Sequence, residues 1–208
     1  MWYTIYVPTK NVVKTYDAPA FYHVYNRASG ERLLFRDDDD RRLFMNLLQK
    51  HLSECADPDN ESVKVYDVSV VTYCLMGTHF HLLLYQQDDV DAISGYMRSV
   101  GTAYAMYYNR KYKSKGHVFQ SSFRASHINN ESYLTHITRY IHLNPRYYHS
   151  WKWSSYLNYV GKRTDSWVHP ELVLENAEIG DAYAKATASY ASIDSRKRNA
   201  EIKDYVDF

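Results

Sequence analysis

The spacing of hydrophobic positions changes period several times along the chain, and each change predicts an element. Residues 21–27 (FYHVYNR) are dense in aromatic and β-branched side chains, the pattern of a strand. Leu43, Phe44, Leu47, Leu48 and Leu52 then recur at helical spacing. They follow four aspartates, Asp37 to Asp40, which favour the positive end of a helix dipole; the acidic run therefore reads as the start of a helix over 37–53 rather than as a metal site. Residues 63–76 are strand-like throughout, Gly77-Thr78 is a turn signal, and 79–85 predict a second strand, so the three together predict a β-hairpin. Ile93, Met97, Val100, Tyr104 and Tyr107 predict a helix over 88–108. After a basic loop, 117–127 predict a stretch that pairs with the sheet. A helix over 130–143 is expected next, capped by Asn129 or Asn130 and stopped ahead of Pro145.

The order β-α-β-β-α-β-α predicts an α+β fold, an antiparallel sheet with helices packed on it. Residues 1–20 predict an extended arm and 21–160 the main domain. Beyond Val160 a C-terminal helical extension, 161–208, is expected, with helices over 169–176 and 179–191 and a charged stretch over 195–208. No repeat or low-complexity segment interrupts this order.

Composition changes the picture little. At 208 residues and 45% hydrophobic, the chain has enough apolar material for one real core. No apolar run approaches the roughly 20 residues needed to span a bilayer. The first ten residues lack a leader pattern, so a cytoplasmic protein with no membrane partner is expected. Two cysteines, Cys55 and Cys74, are too few for a disulfide framework and read as ordinary thiols. A net charge of +1 gives no support for nucleic-acid binding by itself. Its distribution says more, because Arg110, Lys111, Lys113, Lys115 and Arg124 are bunched. The 22 tyrosines suit stacking on unpaired bases, and suit cores and interfaces as well.

Candidate chemistry sits in two places. In Gly77-Thr78-His79-Phe80-His81, residues two apart on a strand share a face, which sets His79 and His81 about 6–7 Å apart at their Cα atoms. Two neutral imidazoles at that spacing can grip a divalent ion, and the same pair also fits a solvated face. Phe80, Leu82 and Leu84 would take the opposite, packed face. At the end of the helix expected over 130–143, Tyr140 and Asn144 are one turn apart and share a stripe. A helix tyrosine usually packs or hydrogen-bonds. With an ordinary pKa near 10, its phenol needs help to attack a phosphodiester, and a metal on the histidine pair would give it. The two constellations therefore make sense together. Residues 111–124, with Phe119 and Phe123 among cations, read equally as a DNA-contacting segment or as a solvated loop over two buried rings.

Taken in order, YHVYNR, LFRDDDDRRLF, YCLMGTHFHLLL, AYAMYYNRKY, GHVFQSSFRA, SYLTHITRYIHLNP and WKWSSY resemble the REP-associated tyrosine transposases. These form a branch of the HUH single-tyrosine (insertion-sequence-200-like) transposases. The resemblance covers most of 21–160. It implies the ferredoxin-like sheet of HUH nucleases, with His79, His81 and Asn144 holding Mg²⁺ or Mn²⁺. Tyr140 would be the nucleophile, leaving a 5′-phosphotyrosine bond and a free 3′-hydroxyl. Arg110, Lys111, Lys113, Lys115, Arg124 and Arg139 become candidate DNA contacts. The implied partner is single-stranded or hairpin DNA of repetitive extragenic palindromes (REP), and the implied assembly a monomer or homodimer. Gly77-Thr78 stands where the family usually has Pro-Asn, and Ser122 where it often has arginine. Two other functions compete: a catalytically silent, sequence-specific DNA-binding protein on the same frame, and an unrelated metal-binding β-barrel, which the expected helices disfavour.

Overall fold

The computed structural model describes residues 16–60, 62–175, 178–193 and 197. Most of the expected N-terminal arm and of the charged stretch over 195–208 lie outside the described residues. Among the described residues the strands and α-helices follow in the order β1 (Ala20–Arg27), α1 (Asp38–Lys50), β2 (Val68–Leu75), β3 (His79–Gln86), α2 (Ala92–Lys111), β4 (Arg124–Ile128), α3 (Glu131–His142), α4 (Tyr156–Tyr159) and α5 (Asp181–Ser192). The strands form one antiparallel sheet in the order β2-β3-β1-β4. This is the α+β sheet-and-helix arrangement expected from the element order, and the ferredoxin-like one that the resemblance implies.

Strand alternation divides the sheet into two faces. Tyr22 and Val24 of β1 and Phe80, Leu82 and Leu84 of β3 point to one side. There they meet Phe44 and Leu48 of α1 and Tyr96, Val100 and Tyr104 of α2. On the other side Val71, Cys74 and Leu83 meet Ile137 and Ile141 of α3. Each fully buried side chain of this size stabilises the fold by about 1.5–3 kcal/mol. The hairpin between β2 and β3 closes tightly: the Met76 N–H donates to the His79 carbonyl at 2.8 Å across Gly77-Thr78.

Two local devices set the first helices. Asp37 caps α1, its carboxylate accepting from the Asp40 N–H at 2.9 Å, and Asp40 answers with a carboxylate that accepts from the Arg36 N–H at 2.8 Å. The acidic run is thus a helix start. The tyrosines of α2 act as hooks: the Tyr104 hydroxyl donates to the Leu34 carbonyl at 2.6 Å and the Tyr108 hydroxyl to the Leu33 carbonyl at 2.9 Å. Much of the tyrosine excess is therefore buried structure, with hydroxyls such as these hydrogen-bonded to the main chain, rather than exposed stacking surface.

Some expected bounds shift. β2 begins only at Val68, because Tyr66 is engaged in an isolated parallel bridge to Leu52. In the 117–127 stretch, Arg124 onward joins the sheet as β4, and ahead of it Phe119 makes an isolated antiparallel bridge to Ala28. The helix expected over 169–176 is a 3-10 turn, Pro170–Leu172, followed by Leu174 turning into a cluster with Tyr156, Tyr159 and Tyr183. Asn130 is the N-cap of α3, its side chain accepting from the Ser132 N–H at 2.9 Å. Cys55 is exposed and Cys74 buried, both as thiols. Among the described residues no helix is long and apolar enough to cross a membrane.

Candidate active site

The α3 face of β3 carries His79 and His81, with ring centroids 5.1 Å apart and planes at 85°. β1 runs beside it in a register that sets Arg27 opposite His79 and Tyr25 opposite His81. A cavity of about 440 Å³ opens over these side chains, lined by Tyr25, Arg27, His79, His81, Gln120 and Arg124. Asn26, on the other face of β1, holds the loop that brings Gln120 in: its Nδ2 donates to the Ser121 carbonyl at 3.1 Å.

Helix α3 places Tyr140 against this pair. Its ring centroid lies 5.7 Å from that of His81, edge-on at 83°. The apolar stripe of α3, with Ile137 and Ile141 buried against the sheet, sets the rotation that turns Tyr140 inward. Just beyond the last turn, the Asn144 Nδ2 donates to the carbonyls of Tyr140 at 3.0 Å and Ile141 at 3.4 Å. The same side chain engages both the His79 ring and the Tyr140 phenol. With its nitrogen committed to the helix end, its carbonyl oxygen is the atom left for the site.

Behind α3, His142 is fully buried and bonded at both nitrogens, to the Tyr183 hydroxyl at 2.7 Å and to the Ser155 hydroxyl at 2.8 Å. Burial, reinforced by the nearby Arg163 charge, holds its pKa down at about 3. A neutral strut therefore ties the tyrosine helix to α5 and to the segment ahead of α4.

Burial also governs the electrostatics in front. It lowers the pKa of His79, with Asn144 opposing and Arg27 assisting. It lowers that of His81 further, with His23 and His79 adding to the effect. Both imidazoles are thus neutral near pH 7 and able to donate lone pairs. The Tyr140 phenol is pushed up, by burial first and then by Tyr25; unaided it is a poorer nucleophile than a tyrosine in water.

The donor set fits a divalent cation. His81 Nε2 is buried and without a hydrogen-bond partner among the described residues, an arrangement costly for a polar atom unless something fills it. Among the described residues no three His, Cys, Asp or Glu side chains form a ready metal cage. Two imidazoles and one amide oxygen would make an incomplete cage, with positions left for substrate oxygens.

The structure thus brings four of the expected site residues together: His79, His81, Tyr140 and Asn144. Of the expected cationic contacts, only Arg124 lines the cavity. Arg110, Lys113 and Lys115 are exposed at the end of α2 and in the loop after it. Lys111 is tied by its ammonium to Asp37 at 2.8 Å and Asp40 at 2.7 Å. Arg139 lies by Tyr183, on the C-terminal side of α3. Sequence reasoning overlooked His23, Tyr25 and Arg27. Their signal was present: odd-numbered residues of a strand at 21–27 share one face, and these three stand on it.

A solved structure, that of a REP-associated tyrosine transposase bound to a REP hairpin, is similar with a TM-score of 0.58 and 12% identity, covering 77% of this chain and 97% of that one. At that identity the likeness concerns the fold alone. Residues 32–144 match the family model described as "Transposase IS200 like". That span is more than half of the chain, and the protein belongs to the IS200-like transposase family. No curated protein matches the sequence.

Proposed function

We propose that this protein is a divalent-metal-dependent nuclease and strand transferase for single-stranded DNA, of the REP-associated tyrosine type. The observation that carries the proposal is the meeting of Tyr140 and Asn144 with His79 and His81, two segments about 60 residues apart in sequence, where the histidines line a cavity. His79 Nε2, His81 Nε2 and the Asn144 carbonyl oxygen would hold Mg²⁺ or Mn²⁺. Bound there, the ion would polarise the phosphoryl oxygens and offset charge on the entering and departing oxygens. Tyr140 Oη attacks the scissile phosphorus; the Tyr–O–P bond forms as the P–O3′ bond breaks. The phenol proton is balanced by the proton gained by the 3′-hydroxyl. A second 3′-hydroxyl can reverse the step, which joins strands.

Arg27 and Arg124 flank the cavity and would set the phosphate in line by charge-assisted hydrogen bonds. The hairpin bound by the structural neighbour makes REP-type palindromes the first DNA to try on this chain. The test is incubation of labelled hairpin DNA carrying a single-stranded flank with Mg²⁺ or Mn²⁺, followed by a denaturing gel. The wild type should yield a covalent protein–DNA adduct, and Tyr140→Phe should bind the DNA while forming none. Adduct formation by Tyr140→Phe at the wild-type level would remove Tyr140 from the role. Binding without any adduct in the wild type would favour the catalytically silent DNA-binding reading.

A further inference from the structure

His23 lies wholly inside the protein, on the α3 face of β1. β1 and β3 pair so that His23 stands opposite Leu83 and Tyr25 opposite His81. His23 is therefore the diagonal neighbour of His81 on the same face, a separation that long side chains can bridge. They do: His23 Nε2 and His81 Nδ1 are 2.9 Å apart, and the two rings are nearly parallel at 11°. Tyr25 stacks on the outer side of His23, with centroids 5.0 Å apart.

Only one proton can lie between those two nitrogens. If His23 donates it, His81 carries its own proton on Nε2. That proton would then point from a buried atom with no acceptor among the described residues, and Nε2 would have no lone pair left to offer. If His81 donates, Nε2 presents its lone pair instead. A cation then satisfies it, and the ring is held in plane by the His23 contact. Imidazole ligands are commonly set in this way by an acceptor behind them, and loss of such a partner typically weakens metal binding 10- to 100-fold.

Resting on the nuclease reading above for the cation itself, we propose that His23 is a positioning residue: it accepts the His81 Nδ1–H and so fixes the tautomer that leaves the His81 Nε2 lone pair available to a cation. His79 has a weaker counterpart. Its Nδ1 is 2.9 Å from the Thr78 hydroxyl, which can either donate or accept and so does not choose a tautomer. His23, locked between Tyr25 and His81, is the more selective partner.

The test begins with the cation-free wild type. Long-range proton–nitrogen NMR correlations should show His81 protonated on Nδ1 and bare on Nε2. A proton on Nε2 would overturn the proposal without recourse to a variant. Next, His23→Leu removes the acceptor and His23→Gln restores one. The leucine variant should populate the other His81 tautomer and bind Mn²⁺ 10- to 100-fold more weakly in titrations followed by electron paramagnetic resonance. The glutamine variant should recover most of both. Equal Mn²⁺ affinity and an unchanged His81 tautomer in His23→Leu would reject the assignment. If the wild type has the expected tautomer and binds Mn²⁺ yet forms no DNA adduct, the nuclease reading fails and the role of His23 stands.

Discussion

Lys111 falls in the basic run that the sequence offers to DNA, yet its ammonium works inside the fold. Nζ sits 2.9 and 2.8 Å from the two Asp37 oxygens and 2.7 Å from Asp40 Oδ1. Asp40 is wholly buried, and its other hydrogen bonds come from Tyr112 Oη at 2.6 Å, Tyr107 Oη at 3.2 Å, the Arg36 N–H at 2.8 Å and the Asp37 N–H at 3.4 Å. Lys111→Met leaves that carboxylate hydrogen-bonded but with no counter-charge. Removing one partner of a buried pair costs about 3–5 kcal/mol. The Lys111 side chain is 26% exposed, so water relieves part of the loss. The Asp37 leg is near the surface and adds little. The expected cost is about 2–3 kcal/mol, or a fall in Tm of roughly 5–10 °C for a chain of this size.

Urea and thermal unfolding measure that cost, with Lys113→Met and Lys115→Met as controls expected to stay within about 0.5 kcal/mol. Adding Asp40→Asn to Lys111→Met removes the orphaned charge and should show a coupling of about 1 kcal/mol or more. The pH dependence has a definite sign. The Lys111 hydrogen bond first, and the Asp40 N–H next, hold the Asp37 carboxyl below its ordinary 3.8, at about 2. A carboxyl with a depressed folded pKa adds stability above its unfolded pKa and loses it as pH falls through the folded one. The gap between wild type and Lys111→Met should therefore narrow between about pH 4 and pH 2. DNA binding provides the contrary readout: a lysine that contacts phosphate lowers the salt slope by about 1 when removed. A Lys111→Met protein with wild-type stability and a shallower salt slope would refute the structural role.

Two further outcomes are expected. A Cβ at Gly95 would fall 2.3 Å from Tyr66 Cε1, so Gly95→Ala should destabilise by about 1–3 kcal/mol in denaturant titrations although alanine favours a helix; a stabilised variant would mean that the Tyr66 ring gives way. His169 is bonded to Glu54 and Glu171 at 2.8 Å each. Burial disfavours its charge, but the two carboxylates outweigh it and raise its pKa. That contribution is complete below about 6.5 and is lost as pH rises through the folded pKa. His169→Gln should thus trail the wild type by up to about 1 kcal/mol at pH 6 and match it at pH 9; a gap that persists at pH 9 would count against the ion pairs as its source.

How far the sequence could be read depended on the range of the interaction. β3 announces itself because its own alternation, His79-Phe80-His81-Leu82, encodes both faces. α1 and α3 announce themselves through caps, Asp37 and Asn130, that lie within a turn of what they cap. The Tyr140–Asn144 pair is local as well. His23 is not: its value depends on β1 lying beside β3, 58 residues from His81. Lys111 was misleading for the same reason, since its partners lie 74 and 71 residues away. The expected helix over 169–176 lacked a strong periodic stripe, and side-chain packing around Leu174 decided its shape instead.

The turn at Gly77-Thr78 has no slack, and this bears on how such a chain can vary. One inserted or deleted residue between Met76 and His81 would exchange the two sides of β3, sending the imidazoles into the apolar interior and Phe80 into the open cavity. Binding chemistry and foldability would be lost in a single event. Drift in length is therefore to be sought in exposed turns away from the site, such as residues 56–60 ahead of β2.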